Sequence, residues 1–120
     1  MNAPFVAIDH VQLAMPPSLE DRARAFYCGI LGMKELPKPP ELAARGGCWF
    51  ASGTVQIHLG VETDFRPAQK AHPGLRCGDY DALLAHLRAH DVEVREDDLP
   101  AQRRAYIDDP FGNRIELVAG

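Results

Sequence analysis

The chain has 120 residues, 46% of them hydrophobic, and a formal net charge of −4. That suits one globular domain with a real core. It offers neither the basic stripe of a nucleic-acid binder nor a charged tail, so no nucleic-acid partner is expected. No apolar run approaches the ~20 residues of a membrane span, and the start, "MNAPFVAIDH", lacks the features of a signal peptide. Three cysteines, Cys28, Cys48 and Cys77, form no CxxC pair. They imply neither a disulfide framework nor a zinc knuckle, and read as buried, inert thiols of a cytoplasmic protein.

In chain order, "FVAIDHVQLAM" (Phe5 to Met15) alternates as a strand, with Val11 and Leu13 on one face and Ile8, His10 and Gln12 on the other. Pro16 and Pro17 end it. Ser18 is placed to cap a helix with Glu20 and Asp21 in its first turn. Leu19, Ala23, Phe26 and Ile30 recur at helical spacing up to about Leu31, where Gly32 can end the helix in a left-handed conformation. "ELPKPPELAARGG" reads as a short edge strand and a loop. "CWFAS" and "TVQIHLGVE" read as strands joined by a turn at Ser52-Gly53, and residues 62–71 read as a connector.

The order then repeats. "HPGLRC" is a short strand. Asp79 is placed to cap a helix through about His90, with Leu83, Leu84 and Leu87 on its apolar side. "VEV" is a strand and "DDLPAQR" a loop. "RAYID" and "NRIELVA" are strands around the turn "DPFGN". Each half therefore reads strand, helix, strand, strand, strand, an internal repeat with modules over about 4–61 and 71–119 of a single domain spanning 1–120. Superposing the halves lays His10 over His72 and His58 over Glu116; the first pair of positions spans 48 residues, from His10 to His58, and the second spans 44, from His72 to Glu116.

Taken alone, His58 is a polar residue on a wet strand face and Glu116 a surface carboxylate. Together, at matching points of a repeat, the four residues make a different case. His58 sits in "IHL" and Glu116 in "IEL", so each polar side chain projects away from its apolar neighbours. A sheet curled around that face would gather three imidazoles and a carboxylate, a first shell for a divalent transition metal. By strand parity Gln12, Gln56, Arg76 and Arg114 share that face. Arg45, Trp49, Lys70, Arg103 and Tyr106, in loops or strands nearby, would make the cup electropositive and suit a carboxylate or phosphate. His86 and His90 stand four apart on the second helix, opposite Leu83 and Leu87, and read as a solvated face rather than a metal site.

The repeat order together with "IDHVQLAM", "RAFYCGILGM", "QIHLG" and "DPFGNRIEL" resembles the vicinal oxygen chelate superfamily, which includes glyoxalases, extradiol dioxygenases, fosfomycin-resistance thiol transferases, methylmalonyl-CoA epimerases and bleomycin-binding proteins. The resemblance implies an α+β fold of two βαβββ modules, a cupped mixed sheet with helices on its outer face. It also implies a metal site with ligands from the first and fourth strands of each module: His10, His58, His72 and Glu116 here. The dioxygenase pattern would use His10, His72 and Glu116. Glyoxalases add a ligand at the position of His58, often a carboxylate, so histidine there is a departure. Pro73 could tilt the strand that carries His72.

Coordination number separates the chemistries. Ring cleavage needs about three open positions. A four-residue set leaves an octahedral ion two, enough to chelate adjacent oxygens and act as a Lewis acid. The expectation is thus a glyoxalase-like lyase or isomerase acting on a small vicinal-oxygen substrate, with one divalent metal (Fe, Ni, Zn, Mn or Co). Glu116 or His58 would be the catalytic base, and Arg45, Trp49, Gln56, Arg76 and Tyr106 the substrate-binding residues. The alternatives are an extradiol-type dioxygenase and a metal-free, bleomycin-resistance-like binding protein. Family habit also implies a homodimer.

Overall fold

The computed structural model describes residues 2–120. Module one contains β1 (Val11–Met15), α1 (Glu20–Arg24), β2 (Lys34–Leu36), the short α2 (Pro40–Ala43), β3 (Cys48–Ser52) and β4 (Val55–Val61). Module two contains β5 (Gly74–Cys77), α3 (Tyr80–Ala89), β6 (Arg95–Glu96), β7 (Arg104–Asp108) and β8 (Arg114–Ala119). The modules build two four-stranded sheets, ordered β1-β4-β3-β2 and β5-β8-β7-β6. In both, the outer pair β1–β4 or β5–β8 is parallel and the remaining pairs are antiparallel. This is the expected α+β architecture, with the mixed sheet divided into two.

Alternation sorts the faces as the sequence implies. Ile57 and Leu59 on β4, Phe50 and Cys48 on β3, and Met15 on β1 are buried under α1; Ile115 and Leu117 on β8, with Ala105 and Ile107 on β7, are buried with Leu84 and Leu87 of α3. Asp79 caps α3 as expected, its side chain accepting from the Ala82 N–H at 3.2 Å.

Several elements differ from the reading. β1 begins only at Val11, so His10 precedes the strand; β5 begins at Gly74, so His72 and Pro73 precede it too. Pro73 nonetheless keeps the register, because its carbonyl accepts the Glu116 N–H. The strand placed at "VEV" lies at Arg95–Glu96 instead, and the loop after β2 includes α2. Ser18 does not cap α1: it takes a left-handed φ of 65° after the two prolines, and the cap position falls to Leu19, whose side chain offers no acceptor. The helix does run on to Ile30, but Ala25–Ile30 is π-helical, with the Leu31 N–H donating to the Phe26 carbonyl. The wider turn brings Tyr27, as well as Phe26, into the core. Gly32, at φ 72°, terminates it in the left-handed region as anticipated.

That inward tyrosine joins the modules. Its hydroxyl donates to Asp109 Oδ2 at 2.8 Å. Asp109 Oδ1 accepts from the Phe111 and Asn113 N–H groups, both at 2.9 Å. Asn113 Nδ2 donates to Asp109 Oδ2 and to the Ala14 carbonyl of β1, both at 2.8 Å. The turn "DPFGN" is therefore also a buried latch between module two and both α1's continuation and β1. His86 adds a smaller tie, lying 2.8 Å from the Ile30 carbonyl through Nε2.

The cysteines are free, Cys48 and Cys77 buried and Cys28 half-buried. Burial pushes the Cys48 thiol up to about 11 and raises the other two. Only the thiolate attacks disulfide reagents, so Ellman's reagent should consume less than one equivalent of thiol quickly in native protein and three after unfolding. Rapid reaction of all three in the native state would contradict this burial.

Candidate metal and substrate site

Register makes the repeat concrete. His58, near the centre of β4, lies between Gln12 of β1 and Trp49 of β3. Glu116 of β8 lies between Gly74 of β5 and Tyr106 of β7. His10 precedes Gln12 by two residues, and His72 precedes Gly74 by two. Each module thus presents one residue ahead of its first strand, one on its fourth strand, and an aromatic ring on its third.

The four candidate ligands meet as two pairs. In module one the His10 and His58 rings stack at 4.1 Å with planes 9° apart, and Trp49 stacks on the other side of His58 at 4.3 Å. In module two, His72 Nε2 lies 2.9 Å from Glu116 Oε1, with the His72 ring edge-on to Tyr106. Among the described residues of one chain, no three His, Cys, Asp or Glu side chains group closely enough to hold one ion.

All three imidazoles are anchored at one ring nitrogen. Asp9 Oδ2 accepts from His10 Nδ1 at 2.9 Å. Gln56 Oε1 accepts from His58 Nε2 at 3.0 Å. The Lys70 carbonyl accepts from His72 Nδ1 at 2.8 Å. In His10 and His58 an acceptor at one nitrogen fixes the proton there and leaves the other nitrogen for different work, whereas His72 faces an acceptor at both nitrogens, the Lys70 carbonyl and Glu116. Burial holds His58 below the ordinary imidazole range, and the neighbouring His10 acts in the same direction. The ring is therefore neutral at neutral pH, the state that can accept a proton or bind a metal.

Other residues divide. Gln12, Gln56, Trp49 and Tyr106 belong to the polar sheet faces as expected. Arg114 shares Tyr106's face and sits over its ring. Arg76 is in register with Val118 on the Glu116 side, but its guanidinium donates to the Ala119 carbonyl and it borders a groove with Leu31 and Met33. Arg103, one residue ahead of β7, does not reach the cup: it pairs with Asp81 of α3 at 2.9 Å and lies over the ring of Tyr80 on the same helix. Sequence reasoning passed over Arg104, whose Nη1 lies 3.6 Å from Glu116 Oε2 and whose Nη2 donates to Asp97. Parity with Tyr106, two residues on, was the signal that could have found it.

Residues 7–117 match the family model described as the Glyoxalase/Bleomycin resistance protein/Dioxygenase superfamily. The chain belongs to this superfamily. Within and around the superfamily, the uncharacterized protein YaeR of Escherichia coli K12 is 31% identical over 109 residues, 79% of this chain and 83% of YaeR. The structure of a glyoxalase family protein from Bacillus anthracis matches with a TM-score of 0.95 and 46% identity, covering 100% of this chain and 99% of that one. TnmS3, an antibiotic binding protein from Streptomyces sp. CB03234, matches with a TM-score of 0.73 and 28% identity over 96% of this chain and 98% of its own. None of the helices described is long and apolar enough to cross a membrane.

Proposed function

We propose that this superfamily member is a divalent-metal-dependent, glyoxalase-like lyase or isomerase acting on a small substrate with adjacent oxygens. Its ion would be held by His72 and Glu116 of one copy and by His10 and His58 of a second, whose rings, stacked with planes 9° apart, would have to turn apart to point at one ion. The observation that carries the reading is that the four ligand-type side chains meet as two pairs, His10 with His58 and His72 with Glu116, with His10 and His58 each oriented through one N–H. The module-two pair adds two ligand-type groups side by side: His72 Nε2 and Glu116 Oε1 stand 2.9 Å apart, in a hydrogen bond that an ion would replace. Nitrogen and carboxylate donors suit Fe, Ni, Zn, Mn or Co.

Assembly from two copies is favoured by three features. The ligand pairs lie in separate modules. Phe5, Val6 and Ile8, ahead of β1, are 85%, 99% and 78% exposed, apolar surface of the kind that partners cover. The radius of gyration, 15.1 Å, exceeds the about 13.6 Å of a compact chain this long, as expected if the sheets close only against a partner. A two-fold dimer would form the composite site twice.

When bound, the ion supplies a Lewis acid for adjacent substrate oxygens. The chain's residues supply proton handling. His58 has one unanchored nitrogen, Nδ1, because Nε2 is tied to Gln56; it can take a proton there only when that nitrogen is off the ion. Glu116, with Arg104 beside one oxygen and His72 beside the other, is the second candidate base. Trp49 and Tyr106 form apolar walls for the substrate.

A second reading, a metal-free binding protein, has its own support: the His10–His58–Trp49 stack offers a flat aromatic face, and the likeness to TnmS3, an antibiotic binding protein, suggests small-molecule binding. Calorimetric titration of chelator-treated protein with Zn, Ni, Mn, Co and ferrous ions separates the two. Binding of one ion per chain with micromolar or better affinity is expected. Uptake of none would leave only the binding-protein reading. Ring-cleaving activity toward catechols with iron alone would instead move the assignment to an extradiol-type dioxygenase.

A further inference from the structure

Beside the His58–Trp49 stack, module one has a recess of about 210 Å³ whose lining includes Gln12, Lys38, Arg45, Trp49 and Gly60. It is too small for a whole drug-sized ligand but large enough for one charged group. Two cations border it. Of the thirteen Lys and Arg side chains, five arginines are paired with carboxylates; among the others, Lys38 and Arg45 are the two that line this recess. Lys38 and Arg45 have no carboxylate partner among the described residues; the Lys38 ammonium touches the Gly46 carbonyl. Glu20, which reaches the same loop, is engaged by the Gly47 N–H at 2.9 Å. In a chain of net charge −4, two unpaired cations bordering one concavity are suited to an incoming anion.

The floor is specific as well. Gln12's amide lies over Gly60, where a Cβ would stand 2.7 Å from Nε2. Glycine at 60 thus lets this side chain lie flat at the edge of the recess with an NH₂ donor. Trp49, which borders the recess, stacks on His58 at 4.3 Å, so a group held here is one ring away from the imidazole proposed to move a proton.

We propose that this recess is an oxyanion subsite in which Lys38, Arg45 and the Gln12 amide hold a carboxylate, phosphate or phosphonate of the substrate against Trp49. Arg45 can meet two oxygens with its fork, and Lys38 adds a point charge. The substrate class is thereby narrowed to an anion carrying adjacent oxygens one group away. Only that last step rests on the proposed metal-dependent function; the anion binding itself does not.

Trp49 is the sole tryptophan, so its fluorescence reports directly on the recess. The full-length protein, as purified and after chelator treatment, is titrated with inorganic phosphate, with oxalate, and with sodium chloride at matched ionic strength. Saturable change with phosphate, oxalate or both is expected in both preparations. Phosphate alone assigns a phosphate or phosphonate, and oxalate alone a carboxylate. The apparent Kd should rise at least tenfold in Lys38→Gln and in Arg45→Gln, and stay within twofold in Arg88→Gln. No saturable change, an equal response to chloride, unaltered affinity in the Lys38 and Arg45 variants, or a response confined to protein not treated with chelator would overturn the subsite. Failure of ion uptake in the calorimetric titration would leave these results unaffected.

Discussion

Replacing Asp109 by alanine is expected to lower the stability of the fold by about 3–4 kcal/mol, read as a reduced urea midpoint. The carboxylate is 5% exposed and accepts four hydrogen bonds, from the Tyr27 hydroxyl, the Phe111 and Asn113 N–H groups and the Asn113 amide. Each bond taken singly contributes little net, but a donor left buried without a partner costs about 1–3 kcal/mol. Alanine leaves several at once. It also releases Asn113, which carries the contact to the Ala14 carbonyl. Domains are stable by about 5–15 kcal/mol in total, so the loss is a large share. Tyr27→Phe, which removes a single bond to a charged acceptor, should cost about 2 kcal/mol. Asp108→Ala, which removes an exposed pair with Arg95, should change stability by no more than about 0.5 kcal/mol. Equal losses in Asp108→Ala and Asp109→Ala would show that the latch does not join the modules energetically.

The latch also marks the limit of what the sequence reveals. Alternation in "QIHLG" and "RIELVA", and the strand–helix–strand–strand–strand order stated twice, are local signals. They were enough to place His58 over Glu116, and the register bears the equivalence out, down to the aromatic neighbours Trp49 and Tyr106. "DPFGN" announces a reversal of the chain just as locally. Its more important partner, Tyr27, is 82 residues away and faces inward only because the helix widens into a π turn. Nothing in "RAFYCGI" signals that widening, since it depends on how the segment packs. The late start of β1 was hidden for a related reason: residues 5–10 alternate as a strand should, but β4 begins at Val55, so among the described residues no strand lies in register with residues 5–8. Convergence of the ligands is the extreme case. Spacing can say that four side chains share a kind of face, two in each module, but not that within one chain the two pairs stay apart.

That division leads to the second large effect. A His10→Ala/His58→Ala chain and a His72→Ala/Glu116→Ala chain should each bind no divalent ion when pure. Mixed, unfolded and refolded together, they should recover one ion per heterodimer. In such a pair, one composite site combines both damaged halves and is empty of ligands. The other combines the intact His10 and His58 of the second chain with the intact His72 and Glu116 of the first. Random pairing makes half of the dimers mixed, so the refolded sample should hold about a quarter of the ion held by wild-type dimers with two sites each. If the ligands of a single chain closed on one ion, mixing would restore nothing, since each chain lacks half of its own set. Elemental analysis after gel filtration reads the result, and sedimentation of the same fractions tests the dimer directly. Retained ion in either pure variant would remove these residues from the metal site, whereas no ion in the mixture, with dimers present, would return the site to a single chain.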